Sequence, residues 1–389
     1  MRIHSLEFED KTAGRVIKKI NFDKLNLLVG ISGAGKTQIL KTLSKLANIA
    51  ANDEVLDFEG HFIIKFSIDN MDKIAEDWAP KEIVWELTSV EIKSENELSH
   101  NSFLSSHSFG KRYFFIEKEI IQFDRENIID RDKEHLLIKG EKQSSNFLVG
   151  EKSAIAILSL GELNMIKTNF LKIVSYYRQR QELSPVLFNG DLKRQIMTKD
   201  YKSFPPAFFK IVISFIPTLA QIYVVKKLNS ELFQDLIFDL QNIFPSVEDI
   251  DVMETENGIL NLAVKENGKL LNKDSVSSGL LKTIYIVTVV RFSIGNTVVL
   301  LDEIENGLGI NCLDEITQYI IQSADITNSQ FILTSHHPYI INQISESNWK
   351  IISQKNGVIS SASAQDIGID TVNNRQEKFF QLMNYWNRQ

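Results

Sequence analysis

The eight residues Gly30-Ile31-Ser32-Gly33-Ala34-Gly35-Lys36-Thr37 match G-x-x-x-x-G-K-[ST] at every specified position. Their flanks match as well. Leu25-Asn26-Leu27-Leu28-Val29 is a short, mostly apolar run, as expected for a buried parallel strand. Beyond Thr37, apolar residues recur at Ile39, Leu40, Leu43, Leu46 and Ala47, which is helical spacing. A strand, a glycine turn and a helix in this order form a phosphate cradle. The glycines let backbone N–H groups face phosphate oxygens, and the helix N-terminus adds partial positive charge. The expected binding set is Gly30, Ser32, Gly33, Ala34, Gly35, Lys36, Thr37 and Gln38, with Lys36 on the outer phosphates and Thr37 on magnesium.

Such a cradle needs a sheet with parallel strands, and the last third of the chain supplies one. Thr297–Leu301 is a near-continuous apolar strand, Leu313, Ile316, Ile320 and Ala324 mark a helix face, and Phe331–Thr334 is the next strand. This alternation implies parallel pairing. Elsewhere, His61–Asp69 and Lys81–Lys93 read as a strand pair. Val247–Met253 and Ile259–Val264 read as another, turning at Glu256-Asn257-Gly258. Lys152–Tyr177 reads as helical. So does Ala207–Asn242, with a break near Asn229-Ser230 and a boundary at Pro205-Pro206. Between residues 95 and 150 no period stands out. The chain is too long for one simple core. The expected division is 1–94 and 246–389 as two parts of one head, with 95–245 as an inserted, mostly helical lobe.

The 389 residues carry a formal net charge of -7, which gives no overall support to a nucleic-acid coat. Cys312 is the single cysteine, which argues against a disulfide framework and for a reducing compartment. No stretch approaches the ~20 apolar residues of a membrane span, and Met1–Asp10 has no apolar signal core. A cytoplasmic protein without a membrane partner is expected.

Three further motifs follow the cradle. The strand ending in Leu301 runs into Asp302-Glu303, acids at the carboxyl end of a buried strand, where ligands of open α/β sheets bind. Asp302 can hold magnesium, and Glu303 can deprotonate an attacking water. Ser277-Ser278-Gly279 opens the helix Leu280–Phe292 and can offer hydroxyls and N–H groups to a second phosphate. Serine is also an ordinary helix cap. The position of this motif one helix before Asp302 favours the phosphate. Thr334-Ser335-His336-His337-Pro338 follows the next strand and places His336, or its neighbour His337, to reach an outer phosphate. Leu158-Ser159-Leu160-Gly161-Glu162 resembles the serine–glycine motif by letters, but it lies in a helical pattern with no acidic strand after it.

In this order the motifs resemble the ATP-binding-cassette class of ATPases. The resemblance implies an α/β fold, a P-loop NTPase of ABC-ATPase type, with a mixed and parallel sheet core, an antiparallel β subdomain and an inserted helical lobe. It implies ATP and Mg2+ as cofactors and ATP hydrolysis as the reaction. Thr37 and Asp302 are then the metal residues, Glu303 the catalytic base, and His336 the switch histidine. Ser277, Ser278 and Gly279 contact the ATP of a second copy in a homodimer that encloses two nucleotides. The class also uses a glutamine before the lobe, for which Gln122 and Gln143 are both candidates.

The gap between Lys36 and Ser278 shows no sustained heptads, unlike chromosome-maintenance heads, and is longer than the lobe of a transporter domain. Its mixed strands and short helices look more like the RecF- and OLD-like branch, within which the turn Asp302-Glu303-Ile304-Glu305-Asn306-Gly307-Leu308-Gly309 and the Thr-Ser-His-His-Pro run look like stand-alone defence ATPases. Stand-alone ATPases of antiphage defence belong there, such as those of the Septu and PARIS systems. That likeness implies infection sensing and a separate nuclease or toxin effector. The stretch after His336 is too short for the Toprim nuclease of OLD enzymes. The alternative within the branch is a RecF-like ATPase that binds DNA in repair.

Overall fold

Eighteen strands and the helices between them are defined among the described residues of the computed structural model: 1–51, 54–68, 80–92, 112–143, 150–176, 183–201, 206–213, 216–293, 296–369 and 375–387. The chain forms two compact units, residues 1–173 with 346–389, and residues 174–345. The expected bounds at 94 and 245 do not coincide with these.

Unit one begins with β1 (Arg2–Asp10), β2 (Arg15–Asn21) and β3 (Leu25–Val29), followed by the helix Lys36–Ala51. It continues through β4 (Gly60–Ile68), β5 (Lys81–Ile92), β6 (Tyr113–Phe123), β7 (Glu126–Asp132), β8 (Leu136–Ile138) and β9 (Glu141–Gln143). Unit two holds β10 (Ile173–Tyr176) apart from its first residue, then β11 (Val186–Leu187), β12 (Val247–Glu254), β13 (Ile259–Glu266), β14 (Lys269–Asn272), β15 (Val298–Leu301) and β16 (Gln330–Ser335). The chain then returns to unit one with β17 (Trp349–Lys355) and β18 (Val358–Ala362).

In unit one the sheet order is β3-β17-β18-β2-β1-β4-β5-β6-β7-β8-β9. β3 with β17 and β18 with β2 pair in parallel, and from β2 onward the neighbours are antiparallel. β3 is buried along its whole length, whereas β4 alternates buried and half-buried residues. That is the difference between a strand covered on both faces and one covered on a single face. The covered face of β4 and β5 carries Phe62, Phe66 and Trp85. Phe62 meets Trp85 edge-on at 4.7 Å, and Phe170, from the helix Gly161–Phe170, packs edge-on against Phe66 at 5.1 Å and Trp85 at 5.6 Å. Pairs of this geometry add about 0.5–1.5 kcal/mol each beyond area burial.

Unit two has parallel β15 and β16, with β10 beside β15, and a second sheet of β11-β13-β12 with β14 on β13. The helix Ser278–Phe292 is buried almost all round, with Ile284, Ile286, Val287, Val289 and Val290 in the core. A run this rich in β-branched residues has weak helical preference, so tertiary burial maintains the helix. At its end Arg291 Nε donates to Asp239 Oδ2 at 2.7 Å, and the Tyr319 hydroxyl donates to the same oxygen at 3.0 Å. These bonds tie the helices Ser230–Ile243, Ser278–Phe292 and Ile310–Ile326 together. Burial, and then the Asp239 charge, push the Tyr319 hydroxyl well above the usual tyrosine range. Among the described residues no helix is long and apolar enough to cross a membrane.

Four local expectations need correction. Residues 113–143 are strands β6 to β9, not helix. The β6–β7 hairpin turns at Asp124 and Arg125, both left-handed at φ 54° and 74°. Two left-handed central residues define the tight hairpin turn that Asn-Gly or Asp-Gly normally signals, and that signal is missing here. The stretch Lys152–Tyr177 is helical only at Ala154–Ile157 and Gly161–Phe170, after which the β-forming Ile173-Val174 begin β10. Leu158–Leu160 is therefore outside helix, and Gly161 begins one. The break at Asn229 is present, with Asn229 Oδ1 accepting from Leu232 N at 3.0 Å. A second break precedes Thr218, where Pro217 caps the next helix. Pro205, Lys93, Tyr177 and residues 95–111 lie outside the described residues.

A buried carboxylate ties the antiparallel region together. Glu119 on β6 accepts from Trp85 Nε1 at 2.9 Å, Ser153 Oγ at 2.5 Å and Ala154 N at 2.9 Å, and it pairs with Arg131 Nε at 3.0 Å. Removing one member of a buried ion pair leaves an uncompensated charge. Glu119→Ala is expected to destabilise the protein by about 3–5 kcal/mol, read from its urea unfolding midpoint.

Candidate functional site

The cradle lies in unit one. β3 pairs in parallel with β17, and Gly30 sits just beyond the last paired residue, Val29. A Cβ on Gly30 would lie 2.6 Å from the Ile352 carbonyl oxygen, so no other residue fits. Gly33 and Gly35 have φ of 82° and 96°, which only glycine adopts freely. The loop closes on itself through Ala34 N to Ile31 O at 3.1 Å. Ser32 and Gly33 are exposed, whereas Ala34 and Lys36 are buried. The Lys36 ammonium folds over the loop, donating to the carbonyls of Gly30 at 2.7 Å and Ile31 at 3.0 Å. That position keeps a cation at the mouth of the glycine turn. Thr37 lies in the first turn of the helix, and Gln38 Oε1 accepts from Arg15 Nη1 of β2 at 2.9 Å. The residue types fit a magnesium–triphosphate: a lysine and a helix N-terminus for anionic oxygens, and a threonine hydroxyl as a hard oxygen ligand.

The other motifs lie together in unit two. Ser277 is the N-cap of the helix Ser278–Phe292, with Oγ accepting from Leu280 N at 3.2 Å. Ser278 and Gly279 form its first turn. A Cβ on Gly279 would lie 2.3 Å from the Gly307 carbonyl oxygen, and one on Gly307 would lie 2.8 Å from Ser278 Oγ. Two glycines thus let the serine motif touch the turn that follows the acids. One helical turn further on, the buried Lys282 ammonium donates to the Glu303 carbonyl at 2.5 Å and reaches the Asn306 carbonyl at 3.4 Å.

The acids are held just as closely. Asp302 Oδ1 accepts from Thr334 Oγ1 at 2.6 Å, and that hydroxyl in turn accepts from Glu303 N at 2.7 Å. Glu303 has φ of 45°, an uncommon conformation for a side chain with a Cβ. Its carboxylate accepts from the Asn306 side-chain amide. The two histidines differ. His337 caps the helix Pro338–Gln343, with Nδ1 accepting from Tyr339 N at 3.2 Å. The His336 side chain is 57% exposed and rests against Glu305. Of the two, His336 is thus the ring open to a ligand.

The structure therefore groups Ser277, Ser278, Gly279, Asp302, Glu303 and His336 within one unit, and Gly30 to Gln38 within the other. Sequence reasoning overlooked Lys282 and Thr334 as anchors of the acid turn. A lysine inside an apolar helical run was the available signal, because a charge at such a position needs a buried partner. Gln122 donates to Asn127 across the β6–β7 hairpin, and Gln143 is exposed on β9.

A glycine cradle between strand and helix, with acids at the end of a parallel strand, defines a P-loop ATPase fold of the ABC type. The chain is similar to the Smc head bound to the C-winged helix domain of ScpA, with a TM-score of 0.50 at 15% identity over 93% of this chain and 97% of that one. It is also similar to an Smc head domain with an extended coiled coil, bound to the C-terminal domain of ScpA and derived from Pyrococcus furiosus. That match has a TM-score of 0.48 at 13% identity over 94% and 97% of the two chains. Residues 180–342 match the sequence model of the family described as "AAA domain, putative AbiEii toxin, Type IV TA system". No curated protein matches the chain.

The contact between Gly279 and Gly307 generates a test. Gly279→Ala is expected to lose about 1–3 kcal/mol of stability through overpacking. Gly309→Ala, where a Cβ meets nothing within 4 Å, is expected to remain near neutral. Chemical denaturation followed by circular dichroism compares the two.

Proposed function

We propose that this chain is an ATP hydrolase that dimerises around magnesium–ATP and uses the nucleotide cycle to control a separate effector, a nuclease or toxin, in antiphage defence. The supporting observation is the grouping in unit two: Ser278 lies against Gly307, Lys282 grips the Glu303 carbonyl, Thr334 bonds Asp302, and His336 stands open beside Glu305. Acids of a surface loop with no task would not need a buried lysine and a left-handed glutamate.

In this reading the loop from Gly30 to Gln38 holds the triphosphate, with Lys36 moving from the loop carbonyls to the outer phosphates. Thr37 and Asp302 supply hard oxygen ligands for magnesium, which would neutralise charge on the phosphate oxygens. Glu303 orients a water and accepts its proton as the water oxygen bonds the terminal phosphorus. The bond from that phosphorus to the ADP oxygen breaks, giving ADP and phosphate. Asn306 holds the Glu303 carboxylate in place. His336 meets the outer phosphate, and Ser277 to Gly279 of one copy close over the ATP of the other through their helix N-terminus. The description of the matching family, which names a putative toxin of a toxin–antitoxin system, supports a toxin–antitoxin setting.

Lys36→Ala is expected to abolish ATP binding in calorimetry. Glu303→Gln should bind ATP normally, lose turnover by about 100-fold or more, and accumulate as a dimer in light scattering. Glu303→Gln hydrolysing at the unmodified rate would refute Glu303 as the base. Purification from its native operon with and without ATP tests the effector. A partner protein released or retained with nucleotide is expected, and recovery of the chain alone in both states refutes effector control. Salt-dependent duplex binding stimulated by ATP would point to DNA repair instead.

A further inference from the structure

Lys282 is a charged residue inside an apolar helix, and the chemistry above gives it no step. It is 1% exposed. Its ammonium donates to the Glu303 carbonyl at 2.5 Å and reaches the Asn306 carbonyl at 3.4 Å. Holding a carbonyl does not by itself call for a charge, since a neutral amide or hydroxyl does so at a lower cost of desolvation. What a cation adds is a stronger bond. The residue type therefore points to a firm grip on one peptide, the one that follows Glu303.

That peptide sets the direction of the acid. Glu303 is left-handed at φ 45°, so its side chain leaves the backbone along a line fixed by the peptides on either side. On one side the Glu303 N–H donates to Thr334 Oγ1 at 2.7 Å. Thr334 belongs to β16, which is paired to β15 in the sheet. On the other side the grip comes from Lys282. The acid is thus held by the sheet at its N–H and by the helix Ser278–Phe292 at its C=O.

The same helix carries the serine motif. Ser278 and Lys282 are four residues apart, which puts them on one helix face, one turn from each other. That face meets the acid turn at both positions. A Cβ on Gly307 would lie 2.8 Å from Ser278 Oγ, and Lys282 reaches residues 303 and 306. Between Gly279 and Gly307 no side chain is present to absorb a shift. The rest of the helix is buried almost all round, and close-packed interiors transmit displacement. A shift at the helix start therefore reaches the Glu303 carbonyl one turn later.

We propose that Lys282 is the positioning residue through which the serine motif sets the base of its own copy. When Ser277 to Gly279 seat on the ATP of a second copy, the helix fixes Lys282 on the Glu303 carbonyl and aims that carboxylate at the water in its own site. Each ATP thereby licenses hydrolysis of the other. The inference rests on the reading of Ser278 as a contact to the second copy's ATP and of Glu303 as the base.

The test measures turnover of the full chain with magnesium–ATP, and dimer formation by light scattering. Lys282→Met keeps the side-chain length and removes the ammonium. It is expected to lower kcat about 100-fold, while the KM for ATP changes by less than about 3-fold and ATP still drives dimer formation. On a Glu303→Gln background the same change should cost no further turnover, because Lys282 acts through Glu303. On a Ser278→Ala background its cost should shrink, because the two residues act along one helix face. Unmodified kcat in Lys282→Met overturns the proposal. So does a loss that persists in full with Glu303→Gln, or one that adds in full to the loss from Ser278→Ala. Lys282→Gln, whose shorter amide spans less of the gap, takes the place of Lys282→Met in every comparison if that variant does not fold. Full turnover in Glu303→Gln sinks the reading of Glu303 as the base, and this proposal with it. An inactive Glu303→Gln beside a fully active Lys282→Met sinks the proposal alone.

Discussion

The acid turn depends on how closely the helix Ser278–Phe292 approaches it. Gly279 and Gly307 both lack a Cβ, and a Cβ on Gly279 would stand 2.3 Å from the opposing carbonyl oxygen. The approach brings Lys282 within reach of the Glu303 and Asn306 carbonyls. The Thr334 hydroxyl holds the Glu303 N–H from the other direction. Glu303 is thus fixed at both its N–H and its C=O, and these bonds offset the cost of its left-handed φ. Strain of this kind persists only where the surroundings over-determine it.

The cradle in unit one follows the same rule with other residues. Gly30 passes the Ile352 carbonyl of β17 at a distance no side chain allows, so the strand can run directly into the loop. Gly35, at φ 96°, lies against Ile359 of β18, where a Cβ would fall 2.5 Å from the side chain. The loop is therefore shaped by the two strands it packs against as well as by its own glycines. Positions held by such packing keep functional groups in place more tightly than free loops do.

Features that depend on a few neighbouring residues were legible in the sequence. The apolar run before Gly30, the helical spacing after Thr37, and the hairpin at Asn257-Gly258 are set by local periodicity or by backbone preference. The β6–β7 hairpin was not legible, because Asp124 and Arg125 adopt left-handed φ without the glycine that announces such a turn. The end of the Lys152–Tyr177 stretch was missed for a related reason: a four-residue strand such as β10 carries too short a pattern to override the helical spacing before it. The helix Ser278–Phe292 was read correctly although its β-branched residues disfavour helix.

By itself the sequence determined which residue types stand in which order: a lysine and a threonine behind a glycine turn, two acids after an apolar strand, serines at a helix start and a histidine pair after the next strand. Only the tertiary structure decided which of several like residues occupies each position. His336 and His337 are equivalent by letters, yet one caps a helix and the other stands against Glu305. Lys282 resembles any helical lysine until its carbonyl partners, more than twenty residues away, are seen. Motifs are written in adjacent residues because backbone geometry and charge act locally. The choice among equivalent side chains is made by contacts between distant segments, and only the folded packing brings those together.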